Sequence, residues 1–584
     1  MLPALAAGSM MRHPGARWSP PHFIASLGNS SSDSQHLAAI PPYCPGNEDH
    51  FPCSKDFRDP NEAWTMGQKW LFVLIYGSFW ALICFAVHYS SVLSASIARL
   101  RRPGNPAGPA SAAAGATPLL PQESRETPEG PTPPYPAAQR VVELFAEQAK
   151  QAPDAVALAV PEAQDEAARE MTYGSLMLSV QEVVAHLLSA GVSVGSVGAL
   201  VLDRSVAQVV AVYGVLEAGA AFLPIDADAP PSRKQFLVDE SEAGVVIGLL
   251  GDEGVYELAR TGSRCPWHLA LPADGGLGRG RLTRPRSVSG GCVSRSRSGT
   301  LVAGGPCEKG RPEASDMALL IYTSGTTGAP KGIVYDHTHL MHGVHWFGWQ
   351  CGMSSASVGL LKSPYFWAIF EWEMFPALTL GGKLVVASAA GHKSPEYLAN
   401  TINAQQVSAL MITPQVLDLV LDIHETQRAA RPLRSVSHIV TVGEPLTCAL
   451  ANRAVKLLPQ TRVHNFYGAS ESSCTVYTVP QEGIDLSIFP SKAPAGTPQP
   501  HVKVYIMQCQ QEGDGAAVLT RVPAGESGEI CFGGVLAACY WKHEELTQQK
   551  WVEAAEHGVL YRTGDLGRWR AGQLEVVGRV DRQV

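Results

Sequence analysis

The sequence predicts an α/β fold over residues 138–577, and two observations support this prediction. Short apolar runs alternate with segments of helical spacing in this part of the chain, a pattern typical of parallel sheets covered by helices. Several apolar runs lead directly into loops rich in glycine and hydroxyl residues, and α/β folds bind ligands in such loops at the carboxyl ends of their strands. A separate apolar segment over residues 70–89 predicts one transmembrane helix near the amino terminus.

Length, charge and cysteine usage exclude some classes of function. The chain has 584 residues, 45% of them hydrophobic, so it can bury a large core and hold several domains. Its formal net charge of −8 gives no basic footprint, so no nucleic-acid partner is expected. Its twelve cysteines include no Cys-x-x-Cys pair and no Cys/His cluster at zinc spacing, which argues against a structural metal.

Three segments precede the α/β region. Residues 1–69 lack a sustained period and predict a disordered or luminal segment. Residues 70–89 contain no charged side chain unless His88 is protonated, and at about 1.5 Å per residue they are long enough to span a bilayer. A buried globular helix is the alternative for this segment. Residues 90–137 are rich in Pro, Ala and Gly and predict a linker.

Apolar spacing and stop residues assign the elements of the α/β region in order. Helices are predicted at 141–149, from 171 onward, and at 206–219 with Gly219 as the stop. Strands are predicted at 155–160, 198–202, 222–226, 317–321, 384–387, 409–414 and 438–446. Residues 262–315 interrupt this pattern with Gly, Arg, Ser and Pro, and they predict a low-complexity surface insertion or a segment added by a gene-structure error.

The loop that follows the strand at 317–321 has the composition of an anion site. Residues 322–332 read Tyr-Thr-Ser-Gly-Thr-Thr-Gly-Ala-Pro-Lys-Gly. Glycine lets backbone N–H groups turn toward an anion, hydroxyls donate further hydrogen bonds, and Lys331 supplies a mobile positive charge. The loop therefore predicts a polyphosphate site, although it lacks the Gly-Lys-Ser/Thr ending of a P-loop. An exposed Gly/Ser/Thr linker is the alternative.

This loop closely resembles the phosphate-binding signature of the adenylate-forming (AMP-binding) superfamily, which includes acyl-CoA synthetases, luciferases and the adenylation domains of nonribosomal peptide synthetases. Further motifs that resemble the family follow in order at 443–445, 465–471, 528–534, 561–566 and 578–584. The segment at 216–226 also resembles a motif of the family, in the form typical of its amino-acid-activating branch. The resemblance covers residues 138–584 and implies a large subdomain of two helix-flanked sheets plus a distorted β-barrel, with the C-terminal lid absent.

The resemblance implies a site for ATP and Mg²⁺. Tyr467 would stack on adenine, Ser470 would hydrogen-bond the α-phosphate, and Glu471 would hold the metal. Asp565 would accept both ribose hydroxyls, and Arg579 would contact the nucleotide. The residues expected to bind ATP are Thr323, Ser324, Gly325, Thr326, Thr327, Gly328, Lys331, Gly443, Glu444, Pro445, Asn465, Phe466, Tyr467, Gly468, Ser470, Asp565 and Arg579. Those expected to be catalytic are Lys331, Ser470 and Glu471.

The resemblance also implies an acyl pocket. Its expected residues are Ala368, Ile369, Trp372, Phe466, Cys474 and Thr475. Ala368 stands where α-amino-acid domains of the family carry an Asp for the substrate ammonium. A buried ammonium without a carboxylate partner is strongly disfavoured, so a conventional α-amino acid is not expected unless Glu371 reaches the same space. An aromatic core strand without a ligand is the alternative for most of residues 363–375.

The implied activity is ATP-dependent conversion of a carboxylic or amino acid to an acyl-adenylate, with release of pyrophosphate. CoA and a carrier-protein phosphopantetheine thiol are both open as the acceptor. Residues 578–584 resemble the start of the family's hinge, with Asp581 as pivot, and the lid that carries the family's bridging lysine does not follow. A membrane-anchored nucleotide-binding pseudoenzyme and a fragment of a larger synthetase are alternatives. We expect a single-pass membrane protein with its ATP-using domain in the cytosol.

Overall fold

The computed structural model describes residues 139–161, 168–261, 266–276, 278–284, 313–323, 330–427, 432–511 and 517–580 of this protein. The predicted segments at 1–69, 70–89 and 90–137 lie outside these ranges, as do the phosphate-loop residues 324–329 and the hinge residue Asp581. No helix within the described ranges is both long and apolar enough to cross a membrane. The transmembrane helix at 70–89 stays a prediction.

The described chain alternates between strands and helices as the sequence predicts. The strands are β1 (Val156–Val160), β2 (Arg169–Thr172), β3 (Val197–Val201), β4 (Ala221–Ile225), β5 (Val245–Leu249), β6 (Trp267–Leu271), β7 (Arg281–Thr283), β8 (Met317–Thr323), β9 (Lys331–Asp336), β10 (Val358–Leu361), β11 (Lys383–Val386), β12 (Ala409–Ile412), β13 (His438–Thr441), β14 (Arg462–Gly468), β15 (Cys474–Thr478), β16 (Thr497–Pro498), β17 (Val502–Gln511), β18 (Ala517–Arg521), β19 (Gly528–Gly534), β20 (Cys539–Tyr540), β21 (Trp551–Ala554), β22 (Gly558–Arg570) and β23 (Gln573–Arg579). The helices are α1 (Val141–Gln151), α2 (Tyr173–Ser189), α3 (Val206–Glu217), α4 (Pro231–Glu240), α5 (Glu253–Thr261), α6 (His337–Gln350), α7 (Phe370–Thr379), α8 (Pro395–Gln405), α9 (Pro414–Thr426), α10 (Cys448–Leu457) and α11 (Glu544–Lys550).

The largest sheet has eight strands in the order β20-β9-β8-β4-β3-β5-β6-β7. Its central strands β8, β4, β3, β5 and β6 run parallel, and antiparallel strands extend both edges. Every residue of β3 and β4 is buried, as expected for parallel strands that helices cover on both faces. The sheet therefore forms a rigid base for the loop between β8 and β9.

Local sequence signals fix where individual helices begin and end. Ser205 and Asp336 each accept a hydrogen bond from a backbone N–H three residues later, at the starts of α3 and α6. Such caps satisfy donors that have no partner within the helix. After α3 the chain turns at Gly219, whose φ of 81° is favourable only without a Cβ. The prediction that Gly219 stops this helix is confirmed.

Two sheets take the place of the second predicted helix-flanked sheet. One has the order β10-β11-β1-β2 and the other β12-β13-β14-β15-β16. Strands β10, β11 and β1 are parallel, as are β12, β13 and β14. The backbone N–H of Ser408, just before β12, donates to the carbonyl of Val358 in β10 at 2.9 Å. Because β12, β13 and β14 are parallel, their carboxyl ends lie along one edge of their sheet.

The last part of the described chain forms a six-stranded antiparallel sheet, β18-β17-β19-β22-β21, with β23 also paired to β22. The pairings among the described strands do not close into a ring, and the distorted β-barrel stays a prediction. The register between β19 and β22 shifts between Glu529 and Cys531, and that between β22 and β23 shifts between Leu566 and Gly567. Such irregularities bend a strand, and this bend lies next to Asp565.

Three sequence predictions need correction. Met171 and Thr172 end strand β2, and α2 begins only at Tyr173. Residues 267–271, which we assigned to a low-complexity insertion, form β6 inside the largest sheet, and 281–283 form β7 at its edge; residues 285–312 lie outside the described ranges. The aromatic segment at 363–375 does not form a strand, because its second half is the start of helix α7.

Candidate active site

A cavity of about 1040 Å³ brings most of the predicted site residues together. It lies where the loops after β12, β13 and β14 approach the end of β8, the start of α7 and the bent strands β22 and β23. The predicted residues that line it are Thr323, Ala368, Ile369, Trp372, Gly443, Glu444, Pro445, Asn465, Phe466, Tyr467, Gly468, Ser470, Cys474, Asp565 and Arg579. These residues come from motifs spread over the whole α/β region, so the fold creates the site.

The predicted phosphate loop connects the two strands of a hairpin. Strands β8 and β9 pair antiparallel, and Thr323 lies directly opposite Lys331 in their register. Thr323 lines the cavity, whereas residues 324–329 lie outside the described ranges. The register therefore fixes both ends of the loop beside the cavity.

Lys331 and Glu471 do not line the cavity. Both of them contact Tyr540 instead. The Lys331 Nζ lies 4.7 Å from the centroid of the Tyr540 ring, and the Tyr540 hydroxyl donates to Glu471 Oε1 at 2.6 Å. Burial, and then the negative charge of Glu471, raises the pKa of Tyr540, so the phenol keeps its proton. Lys550 lies close enough to feel the charges of both Lys331 and Glu471, although burial is the main cause of its lowered pKa.

Asp565 is held from two sides. Its Oδ2 accepts a hydrogen bond from the Tyr467 hydroxyl at 2.7 Å, and its Oδ1 accepts from the Arg579 guanidinium at 2.8 Å. Burial, followed by the nearby Asp565 charge, raises the pKa of Tyr467 well above its ordinary value, so this phenol stays a donor. The carboxylate is thereby fixed in the wall of the cavity.

The backbone turn before Asp565 is held in place by Glu529, a buried residue of β19, the strand beside β22 in the sheet. Glu529 accepts from the Gly564 N–H at 3.0 Å through Oε1, and from the Arg562 guanidinium through Oε2. Gly564 has a φ of 80°, which favours a residue without Cβ. Thr563 then accepts from the Asp565 N–H at 3.0 Å. Glu529 belongs to the motif at 528–534, but the sequence analysis assigned it no role in the site.

The turn at 443–445 lies at the carboxyl end of β13. Gly443 has a φ of 86° and no neighbour where a Cβ would be built. Glu444 accepts a hydrogen bond of 3.4 Å from the backbone N–H of Gln415 at the start of α9. The cavity therefore has an open backbone surface here, between the loops after β12 and β13.

The predicted acyl pocket is an aromatic part of the same cavity. The Trp372 ring lies 5.8 Å from that of Phe466, and Phe347 packs against both. Cys474 lines the cavity, and burial raises the pKa of its thiol. Thr475 does not belong to the lining: it is fully buried, and its hydroxyl donates to the Ala495 carbonyl at 2.6 Å. We therefore correct its assignment to the pocket.

Sequence reasoning missed two residues of the site, Tyr335 and His339. The Tyr335 hydroxyl donates to the backbone carbonyl of Ser470 at 2.6 Å, and it fixes that loop on the largest sheet. His339, on the first turn of α6, also lines the cavity. Because side chains alternate along a strand, Tyr335 lies on the same face of β9 as Lys331, and this spacing was the available signal.

The comparisons with known proteins agree with this arrangement. The sequence profile of the AMP-binding enzyme family matches residues 145–541. Tyrocidine synthase 3 of Brevibacillus parabrevis is 29% identical over 454 residues, which are 77% of this chain and 6% of that protein. Phosphinothricin tripeptide synthetase PhsB of Streptomyces viridochromogenes is 31% identical over 453 residues, 76% of this chain and 34% of that protein. The chain thus spans about a third or less of the length of these two relatives.

Solved structures with the same fold include the nonribosomal peptide synthetase FmoA3. Its α-methyl-L-serine-AMP bound form superimposes with a TM-score of 0.63 at 25% identity, over 77% of this chain and 46% of that one. Its AMPPNP bound form gives 0.61 at the same identity, over 79% of this chain and 44% of that one. The profile match covers more than half of the chain, and the fold and the order of motifs agree with it. This chain belongs to the AMP-binding enzyme family.

Proposed function

We propose that this chain activates a carboxylic or amino acid with ATP, forming an acyl-adenylate and releasing pyrophosphate. The observation that carries the proposal is the single cavity that contains both the nucleotide motifs and the aromatic pocket. In the reaction a carboxylate oxygen attacks the α-phosphorus, and the bond from that phosphorus to the bridging oxygen of pyrophosphate breaks. The solved AMPPNP and aminoacyl-AMP forms of FmoA3 support the same pair of ligands.

Each part of the cavity suits one part of the nucleotide. The open turn at 443–445 and the ring of Tyr467 suit adenine, and the fixed carboxylate of Asp565 suits ribose hydroxyls. Ser470 and the loop between Thr323 and Lys331 suit the phosphates. Catalysis then consists of positioning the two reactants and stabilising the charge that develops on the phosphates.

The residues present fit Mg²⁺ as a partner of the nucleotide. No group of three or more His, Cys, Asp or Glu side chains that could hold a metal occurs among the described residues. Mg²⁺ in nucleotide sites commonly takes one or two carboxylates, and phosphate oxygens complete its coordination. Glu471 would supply that carboxylate, and the ion would neutralise phosphate charge. Its Oε1 also accepts the hydrogen bond from the Tyr540 hydroxyl.

ATP binding is the first test, and pyrophosphate exchange across a panel of acids is the second. We expect the double replacement Lys331→Ala and Asp565→Ala to weaken ATP binding at least about 100-fold, because charged hydrogen bonds contribute roughly 1.5–3 kcal/mol each. The exposed Lys503→Ala in β17 serves as control. Equal ATP affinity in the double variant and the wild type would overturn the proposal. ATP binding without exchange for any acid would favour a pseudoenzyme.

We further propose that residues 70–89 anchor the chain in a membrane with the α/β region in the cytosol. The length and lack of charge of this segment support the anchor, and the need for ATP supports the orientation. Extraction of cell membranes with alkaline carbonate tests it. Release of the full chain into the soluble fraction would contradict the anchor, whereas loss of retention only when 70–89 are deleted would support it.

A further inference from the structure

A short connecting segment, residues 536–541, joins the two parts of the chain that carry Lys331 and Glu471. On one side, strand β20 within this segment pairs antiparallel with β9, the strand that begins at Lys331. On the other side, the backbone N–H of Ala537 donates to the Glu471 carbonyl at 3.0 Å. The residue expected to contact phosphate and the residue expected to hold the metal are therefore attached to the same segment.

Within the connecting segment, Tyr540 contacts both charged groups with different parts of its side chain. Its hydroxyl donates to Glu471 Oε1 at 2.6 Å, and its ring centroid lies 4.7 Å from Lys331 Nζ. The hydroxyl hydrogen of a phenol is electropositive, whereas the face of its ring is electronegative. One tyrosine can thus hold an anion and a cation at the same time, whereas phenylalanine can hold only the cation and leucine neither.

Tyr540 itself is fixed by its neighbours. It is only 2% exposed, and the Trp551 ring packs edge-on against it with the two centroids 5.0 Å apart. Its backbone N–H donates to the Thr547 hydroxyl at 3.0 Å. The Trp551 indole N–H also donates to the Ala537 carbonyl at 3.0 Å, which fixes the connecting segment. A buried ring held in this way transmits a shift of one charged group to the other.

The loop that carries Glu471 is held on both sides of this residue. The Ser470 carbonyl accepts a hydrogen bond of 2.6 Å from the Tyr335 hydroxyl. The Ser473 hydroxyl lies 3.1 Å from Nδ1 of His342, a buried residue of α6. Because the backbone is fixed before and after Glu471, the remaining freedom is in its side chain, and the bond from the phenol restricts that freedom.

We infer that Tyr540 is a positioning residue that couples the phosphate contact of Lys331 to the metal contact of Glu471, so that Mg²⁺ and the phosphates of ATP bind cooperatively. The inference rests on the proposed function, and Tyr540 acts only through these two groups. A phosphate that attracts Lys331 and an ion that attracts Glu471 both act on the same side chain. Coupling between two such contacts is reciprocal, so each ligand should strengthen the binding of the other.

The test is the Mg²⁺ dependence of ATP binding by the full chain. Calorimetry gives the ATP affinity with Mg²⁺ and with EDTA, and the ratio of the two affinities is the Mg²⁺ enhancement. Tyr540→Phe keeps the ring beside Lys331 and removes the bond to Glu471. We expect it to lower the Mg²⁺ enhancement about 10-fold and to leave ATP affinity in EDTA unchanged. Tyr540→Leu also removes the ring, so ATP affinity in EDTA should fall about 3-fold.

A double-variant cycle measures the coupling directly, because residues in one contact network show non-additive effects. Lys331→Ala should lower the Mg²⁺ enhancement of the wild type about 5-fold. In the Tyr540→Phe background, Lys331→Ala should no longer change it. The matched control is Tyr505→Phe in β17, where the ring stacks on His557. This control should keep the wild-type Mg²⁺ enhancement.

Each outcome decides between the two proposals. A wild type without any Mg²⁺ enhancement, an unchanged enhancement in Tyr540→Phe, or additive effects of the two variants in the cycle would overturn the coupling while ATP binding stands. Tighter Mg²⁺-ATP binding by Tyr540→Phe would also overturn it, because the phenol would then compete with the ion for Glu471. A wild type that does not bind ATP would overturn the proposed function and this inference with it. If Tyr540→Phe does not fold, Lys331→Ala and Glu471→Gln decide, and additive losses of Mg²⁺-ATP affinity would overturn the coupling.

Discussion

The Tyr467 hydroxyl donates a hydrogen bond of 2.7 Å to Asp565, across 98 residues of sequence. Tyr467 lies near the end of β14, whereas Asp565 lies at the bend of β22 in the six-stranded sheet. One hydrogen bond therefore joins two separate sheets at the wall of the cavity. We therefore expect ATP affinity to depend on the relative position of these two sheets.

Replacement of Tyr467 by Phe tests this contact. The ring that we expect to stack on adenine remains, and only the bond to Asp565 is lost. A hydrogen bond to a charged group contributes about 1.5–3 kcal/mol, so we expect ATP affinity to fall roughly 10-fold and the melting temperature to fall slightly. Tyr477→Phe, in the neighbouring strand β15, is the control. Calorimetric ATP titration of both variants measures the effect, and equal affinities would argue that Asp565 is held by Arg579 alone.

Gly564 and Gly572 form a matched pair for the turn before Asp565. Both have positive φ, 80° and 72°, so Ala should cost about 1 kcal/mol of stability at either position. A Cβ at Gly564 would lie 3.4 Å from the Arg579 guanidinium, whereas Gly572 has open space around it. We therefore expect Gly564→Ala to weaken ATP binding as well, and Gly572→Ala to lower only the melting temperature. The idea fails if both variants bind ATP equally well.

Glu371 and Glu373 should respond in opposite ways to replacement by Gln. Glu373→Gln breaks a buried pair with Lys362 and should destabilise the protein by about 3–5 kcal/mol. Glu371→Gln removes a buried acid that has no charged partner among the described residues, so the melting temperature should stay equal or rise. Thermal unfolding of the two variants side by side measures this difference. A similar loss in both would show that Glu371 has a structural partner after all.

The pH dependence of stability should reveal the titration of Glu371. Its pKa in the folded chain is raised above the ordinary value. The free energy of unfolding that the protonated Glu371 carboxyl contributes is therefore complete below about pH 4.5. It is lost as the pH rises toward the folded pKa, by up to about 1.4 kcal/mol per pH unit. The groups that face it, Tyr335 and Cys474, stay neutral because burial raises the pKa of each.

The measurement is the difference in melting temperature between Glu371→Gln and the wild type from pH 5 to pH 8. This difference should grow with pH in favour of Glu371→Gln. The neighbouring His339, whose pKa burial lowers to about 4, changes the stability of both proteins in the same way below about pH 6.5, so it does not affect the difference between them. A difference that is flat over this range would show that the carboxyl does not titrate there.

Local sequence signals predicted the strands and loops of the site, but not which side chain faces which neighbour. Cys474 and Thr475 were both assigned to the pocket, yet alternate residues of a strand point to opposite faces, and only Cys474 lines the cavity. Glu371 and Glu373 look equivalent in sequence because the partner that distinguishes them, Lys362, lies on another element.

Strand β6 was missed for a different reason. Its five residues lie beside a Gly-, Arg- and Ser-rich stretch whose composition hides the periodicity of so short an element. The pairing with β5 that defines it comes from the sheet and has no local signature. The strand before the phosphate loop, in contrast, was predicted at 317–321 and is observed at Met317–Thr323, because its apolar run is continuous in sequence.

Buried histidines should make the protein sensitive to acid, and His337 offers the cleanest test. Burial lowers the pKa of His337 to about 4, and neither ring nitrogen has a hydrogen-bond partner among the described residues. Because this pKa is lowered in the folded chain, the free energy of unfolding that the neutral His337 contributes is complete above about pH 6.5. It is lost as the pH falls toward 4, by up to about 1.4 kcal/mol per pH unit. His337→Leu should therefore raise the melting temperature increasingly from pH 6.5 to pH 4.5. The exposed His543→Leu should show no such trend, and parallel curves for His337→Leu and the wild type would contradict the prediction.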